Sequence, residues 1–468
     1  MRSAAAALPV ALTAAVAAFA AARPGDPPPR PGAVVVVVAD GTGWQQWGLL
    51  VASRRASGVR EKTAFHRLAD RGVVGSAVTF AADSLVTDSA AAATAIASGV
   101  KTNNGAVGVD ASGAEVPTVL EAAARRGWAC GIVSTTAVTD ATPAAFTAHV
   151  PDRRLMAQVA EQQIRRQDLR VLLGGGTQYF VPRTRTCASA GETGRGIADG
   201  PSRRGDDLDL VAEAREKGFA VATNRRALLD GPAPERLLGL FAPFELPYAI
   251  DRDEAGEAEA PTLAEMTARA LEVLDREGRG FLLVVEAGRV DHACHHNDAG
   301  AALGEMRELD AALEPILAAA ERRRDLLLVV TADHETGGLS LSSPKGEHLG
   351  ADHLARLSTQ RRSLAAVAAA VGGATAPADA AREAAPWLGQ RPVALTDPAQ
   401  DGRGPFLGKH RRPYGDEASR GGGVVFATDG HTATPVPVVA AGPGADRFAG
   451  LLDNTDLGKA LLDLVAAR

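Results

Sequence analysis

Apolar, β-branched runs alternate along this chain with stretches whose apolar positions recur at helical spacing. Ala33-Val34-Val35-Val36-Val37-Val38-Ala39, Ala129 to Ser134, Val171 to Leu173, Phe281 to Val285, Asp325 to Val330 and Val436 to Ala441 are almost uninterrupted apolar segments. Runs without polar alternation predict strands buried on both faces. Thr63 to Arg71, Val119 to Arg126, Arg153 to Gln167 and Thr262 to Glu277 read as helices, the last keeping Leu263, Met266, Ala270 and Leu274 in helical register. Gly72 to Phe80 reads as extended. Repeated strand-then-helix units predict an α/β fold whose sheet is covered on both sides. The pattern loosens into a Gly-, Ser- and Arg-rich surface excursion between Arg183 and Gly205. It loosens again at about 345–423, where an insertion with one helix near Ser363 to Val371 is expected.

The residues at the ends of these apolar runs are acids and histidines, and they carry the pattern from fold to chemistry. The first run ends in Asp40-Gly41-Thr42-Gly43, and the one at Ala129 leads to Thr139-Asp140-Ala141-Thr142. Phe281 to Val285 ends in Glu286-Ala287-Gly288-Arg289-Val290-Asp291-His292-Ala293-Cys294-His295-His296. Asp325 to Val330 ends in Thr331-Ala332-Asp333-His334-Glu335-Thr336, and Asp429-Gly430-His431 precedes the last run. In a parallel sheet the carboxyl ends of the strands converge on one edge, where such folds bind ligands. Asp291 and His295, four apart on a helical turn, share one face and suit a common divalent cation. Nitrogen and oxygen ligands without thiolate pairs point to zinc or another borderline or hard ion. Two adjacent cations are a known arrangement for phosphoryl transfer.

Such cations need a nucleophile, and Asp88-Ser89 opening the small-residue run Ala90 to Ala93 offers one. This places the Ser89 hydroxyl at a helix N-terminus, where free amides and the macrodipole favour an anion. No Gly-x-Ser-x-Gly elbow surrounds it, so a metal is the activator the sequence offers.

Composition removes other classes. At 468 residues with 46% hydrophobic content, the chain can build a sizeable core, and its net charge of −6 with both signs interspersed argues against specific nucleic-acid binding. The cluster Arg322-Arg323-Arg324 reads as a solvated helix end. Met1-Arg2, the apolar Ala4 to Ala22 and the small residues around Ala20 read as a signal peptide over residues 1–22. A Pro-rich linker at 23–32 and a domain at 33–468 complete the expected layout. The leader is short and weakly hydrophobic for a spanning helix, so export to the periplasm or medium without a stable membrane anchor is expected. Three cysteines are too few for a disulfide scaffold, and Cys130 with Cys187 is the pair that could bridge in an oxidising compartment.

Taken in order, Asp40-Gly41, Asp88-Ser89-Ala90, Asp140-Ala141-Thr142-Pro143, Glu286 with Asp291 and His295, Asp333-His334 and Gly430-His431-Thr432 resemble the alkaline phosphatase family from about Val34 to the C-terminus. The resemblance implies a three-layer α/β/α sandwich around a large, mostly parallel central sheet with a crown-like insertion. It implies hydrolysis of phosphate monoesters through a phosphoserine at Ser89, with two zinc ions and one magnesium ion. Asp291, His295 and His431 would hold one zinc; Asp40, Asp333 and His334 would hold the other, which also contacts Ser89. Asp40, Thr142 and Glu286, with Asp140 through water, would hold the magnesium. Arg153 would clamp the phosphate, oriented by Asp88, and His292 stands where some relatives carry lysine. A homodimer is usual in the family. Sulfatases of the same superfamily need a Cys/Ser-x-Pro-x-Arg context that Ser89 lacks. Diesterases often lack the clamping arginine and the third site, and a binding protein without turnover would have lost Ser89 or a ligand.

Overall fold

The computed structural model describes residues 30–466 apart from 166–168, 192–198, 255–259, 344–347, 372–386 and 388–422. The expected leader and most of the linker and insertion therefore lie outside the described residues. Among the described residues ten strands form one sheet in the order Gly450–Asp453, Val73–Val78, Val436–Ala441, Leu326–Thr331, Ala33–Val38, Phe281–Glu286, Ala129–Ala137, Leu169–Gly175, Leu237–Leu240 and Ala220–Ala222. Only Val436–Ala441 runs against its neighbours. The mostly parallel α/β sheet expected from the sequence is therefore present.

Ala33–Val38 shows why the layers number three. Its even-numbered valines pack with Ile96, Leu120 and Leu461 on one face, and Val35 and Val37 pack with Leu49, Met306 and Leu309 on the other. Every residue of the strand is buried, which explains the unbroken apolar run. Burying each valine contributes about 1.5–3 kcal/mol before entropy is counted.

The Ser89–Ser98 helix is buried along its whole length, and its alanines allow close approach by neighbouring helices. A Cβ on Gly458, in the Asn454–Val465 helix, would lie 2.4 Å from the Ala95 carbonyl oxygen. Small residues on both partners thus fix the depth at which the Ser89 helix sits.

The structure corrects three local expectations. The helix expected from Arg153 begins at Met156, because Asp152 caps a preceding turn by accepting from Arg154 N at 2.9 Å and Arg153 N donates to Gly105 O at 2.7 Å. Arg153 is thereby kept off the helix. Arg323 is no solvated helix end: its side chain is 12% exposed and bridges Asp275 and Asp325. Cys130, Cys187 and Cys294 are all buried and none is in a disulfide among the described residues. The Cys130 thiol faces the carbonyls of Leu120 and Trp128 instead of Cys187.

Candidate active site

The sheet register brings the polar strand ends together. Val38 pairs with both Glu286 and Thr331, and Ser134 pairs with Glu286, so the segments carrying Asp40, Asp140, Glu286 and Asp333 leave the sheet at one edge. Gly41 then turns with φ +69°, and its N–H donates to Asp333 Oδ1 at 3.1 Å. A Cβ there would lie 2.6 Å from Asp291 Cα, so the turn requires glycine both for its backbone and for its neighbour.

One group of side chains comes from the Arg289–His295 helix and the His431–Thr432 strand. Asp291 Oδ2 lies 3.3 Å from His295 Nε2, and His295 Nε2 lies 3.1 Å from His431 Nε2. Each imidazole is oriented from behind, His295 Nδ1 by Asp429 O at 2.5 Å and His431 Nδ1 by Thr87 O at 2.8 Å. Burial would raise Asp291, yet His295, His334 and His431 together hold its carboxyl well below the usual range. Burial would lower His295, yet its bond to Asp291 brings it up to about 9. Burial holds His431 below the usual imidazole value.

A second group surrounds His334, which is fully buried. Its Nε2 lies 3.2 Å from Asp333 Oδ2, 3.7 Å from Asp40 Oδ1 and 3.1 Å from Ser89 Oγ. Burial and the nearby Asp333, Asp291 and Glu286 push Asp40 well above the carboxylate range; burial and Asp291 push Asp333 up to about 7. Burial holds His334 well below the usual imidazole value. Asp40 Oδ1 and Asp333 Oδ2 are buried without a hydrogen-bond partner. Unpaired carboxylate oxygens converging with imidazole nitrogens fit a divalent cation. Two sets gather carboxylate and imidazole ligand atoms within 4.8 Å of one another, Asp40 with Asp333 and His334, and Asp291 with His334 and His431; the unpaired oxygens belong to the first.

Arg153 lies across from these groups. Its guanidinium donates to Asp88 Oδ2 at 3.2 Å and to Asp140 Oδ1 at 2.9 Å. Although burial opposes it, the two carboxylates raise the Arg153 pKa further, so the group stays cationic. Arg153 and His292 in turn keep the buried Asp140 below the usual range. Asp88 also caps the Ser89 helix by accepting from Ala91 N at 3.0 Å, which ties the clamp to the nucleophile. Three further N–H donors on the guanidinium can serve an oxyanion.

Glu286 is buried, accepts from Ser134 Oγ and from Thr136 Oγ1 at 2.8 Å, and is pushed by burial to about 7. Thr142 Oγ1, in the Ala141–Thr147 helix capped by Asp140, is buried without a partner. His292 Nδ1 accepts from Arg289 at 2.7 Å, and Arg289 also reaches Glu245 at 2.8 Å and stacks over Tyr248.

Several contributors are not marked in the sequence. Asp140 as a second anchor of Arg153, the carbonyls of Thr87 and Asp429, and Ser134 and Thr136 beneath Glu286 all act across the sheet edge. Thr336 contacts both Asp291 and His334. It stands two residues after His334, which is a signal available in the sequence.

Known proteins resemble this chain in sequence and fold. Residues 32–466 match the family model described as alkaline phosphatase. The chain is 31% identical to alkaline phosphatase 3 of Bacillus subtilis over 91% of its own length and 87% of that protein. It is also 31% identical to a streptomycin-6-phosphate phosphatase of Streptomyces griseus, covering 96% of this chain and 94% of that one. The crystal structure of Thermus thermophilus alkaline phosphatase superposes with a TM-score of 0.79 at 31% identity, over 93% of this chain and 91% of that one. On fold, strand-end chemistry and sequence alike, the chain belongs to the alkaline phosphatase family of phosphomonoester hydrolases.

Proposed function

We propose that this protein hydrolyses phosphate monoesters through a phosphoserine at Ser89, with two zinc ions and one magnesium ion as cofactors. Asp291, His295 and His431 would hold one zinc, and Asp40, Asp333 and His334 the other, beside Ser89. Asp40, Thr142 and Glu286, with Asp140 through water, would hold the magnesium. Bound cations supply Lewis-acid stabilisation of negative charge at the attacking and leaving oxygens.

The chain's own groups perform the rest. Arg153 grips two non-bridging phosphate oxygens, held in place by Asp88 and Asp140. Ser89 Oγ attacks phosphorus in line; the Oγ–P bond forms, the bond to the ester oxygen breaks, and the departing alcohol takes up a proton. Water then cleaves the Oγ–P bond, and Ser89 regains its proton as phosphate leaves. Arg289 holds His292, which would contact the substrate. Because recognition centres on the phosphoryl group, a broad range of esters is accepted.

The observation that carries this reading is Ser89 Oγ, at the N-terminus of its helix, 3.1 Å from a histidine flanked by two unpartnered carboxylate oxygens. The test is hydrolysis of a chromogenic phosphate monoester at alkaline pH, beside Ser89→Ala and a chelated sample. Activity that chelation abolishes, and that falls more than about a thousandfold in Ser89→Ala, is expected. Diester hydrolysis in place of monoester hydrolysis by a folded, metal-loaded sample would overturn the reading. Among the described residues no helix is long and apolar enough to cross a membrane. We further propose export by cleavage of residues 1–22 to the periplasm or medium, and a homodimer, to be checked by the mass of the mature chain and by sedimentation.

A further inference from the structure

One buried hydroxyl has no part in the bond-making and bond-breaking steps. Thr336 is fully buried in the short Glu335–Thr336 strand, which pairs with His431–Thr432. Its Oγ1 donates to Asp291 Oδ1 at 2.5 Å and lies 3.2 Å from His334 Nδ1. In the proposed ligand assignment these two partners serve different cations, and His334 also lies within ligand reach of Asp291 and His431 at the boundary between them. Asp291 faces His295 and His431, whereas His334 Nε2 faces Asp40, Asp333 and Ser89.

A hydroxyl offers one proton and two lone pairs. With the Thr336 proton given to the Asp291 carboxylate, the contact with His334 is an Nδ1–H donated to Thr336 Oγ1. His334 is thereby the Nδ1–H tautomer, and its Nε2 lone pair is left aimed at Ser89 and the unpaired carboxylate oxygens. On Asp291 the same hydroxyl engages Oδ1 and leaves Oδ2 on the His295 side.

The backbone of Thr336 is held independently of this hydroxyl. Its N–H donates to Gly41 O at 3.0 Å, and its carbonyl accepts from Gln46 Nε2 at 3.1 Å. The ladder to His431 and the tie to the Gly41 turn therefore carry Oγ1 to the boundary between the two sets.

We propose that Thr336 is a positioning residue that couples the two cation sites through one hydroxyl, fixing the Asp291 carboxylate on one side and the His334 tautomer on the other. The inference rests on the cation-binding part of the proposed function. Outer hydrogen-bond partners of metal ligands typically change metal affinity about 10–100-fold. Here one side chain is expected to exert that effect on both sites at once.

The test is a zinc titration of the metal-free full-length chain against a competing chromophoric chelator, for the parent protein, Thr336→Val and Thr336→Ser. Valine keeps the shape and removes the hydroxyl; serine keeps the hydroxyl. Weakening of both zinc steps by about 10–100-fold in the valine variant, with recovery in the serine variant, supports the proposal. Unchanged affinities, or weakening of one step alone, would overturn it. A second measurement does not depend on how the valine variant folds. In the metal-free parent chain with 15N-labelled histidine, the His334 signals, assigned by their loss in His334→Gln, are expected to report Nδ1–H. An Nε2–H tautomer would refute the proposal. Hydrolysis by the same parent samples tests the phosphatase reading separately, because affinity and tautomer are read without turnover.

Discussion

The two halves of the site use the same ligand chemistry but balance charge in opposite ways. Around Asp291, His295 and His431, acid and imidazole compensate each other: Asp291 is held well below the carboxylate range, and His295 is raised to about 9. Around Asp40, Asp333 and His334, buried acids face one another, His334 is held well below the usual imidazole value, and one oxygen of each acid lacks a partner. The first half is a preformed ion pair. The second half is held at an electrostatic cost that the surrounding sheet sustains and a cation would offset. That second half is also the one Ser89 touches.

The contrast is broken most sharply by removing charge from the second half. Asp333→Asn is expected to lower kcat/KM for a phosphate monoester by more than about a thousandfold in saturating zinc. His295→Gln, which leaves Ser89 and its neighbours intact, should cost less; the reverse order would contradict the division between the halves. Arg153→Ala removes the phosphate grip without touching either cation set, and a loss of about a hundredfold is expected, with zinc affinity unchanged.

The pH dependence is set by the signs of the shifts. Asp333 and Glu286, each pushed up to about 7, bind protons more tightly folded than unfolded. Their contribution to stability is fully present below the ordinary carboxylate range near pH 4 and is lost as pH rises through about 7. The His295 contribution is likewise lost only as pH rises through about 9. His334 and His431, held below the usual imidazole value, contribute the opposite slope up to about pH 6.5. The melting temperature of metal-free protein should therefore fall between about pH 7 and pH 9, and zinc should restore it. A flat profile without metal would show that the second half carries no such strain. The smallest effect expected is a gain of about 1 kcal/mol in metal-free stability at pH 8 for Asp333→Asn, read by denaturant unfolding. Loss of stability in that variant without metal would argue that the carboxylate is structural.

Much of the candidate site is legible in the chain because Asp40, Glu286 through His295 and Asp333-His334 stand directly after apolar strands, where position in sequence dictates position on the sheet edge; His431 instead precedes one. Ala33 to Ala39 with Asp40, and Phe281 to Val285 with Glu286 through His295, carry strand and chemistry in one segment. The features that escape a reading of the sequence depend on contacts between segments. The Arg153 bond to Asp140 exists because the helix starts about one turn later than its composition suggests. The Thr336 hydroxyl reaches Asp291 through the tie to the Gly41 turn and through pairing with a strand almost a hundred residues on. The edge strands Ala220–Ala222 and Gly450–Asp453 are too short, and too exposed at the latter, for periodicity to mark them. Cysteine pairing fails for the same reason, since spacing along the chain carries no information about which wall of the core a thiol faces.

Ser89 is the group proposed to carry the phosphoryl group between substrate and water. Acid quenching of the metal-loaded protein during turnover of a phosphate monoester, with peptide mass spectrometry of the quenched chain, tests this directly. One phosphoryl group on Ser89, absent from Ser89→Ala and from chelated protein, is the predicted result. Sustained turnover by Ser89→Ala, or a phosphoryl group trapped on a different residue of the parent chain, would contradict it.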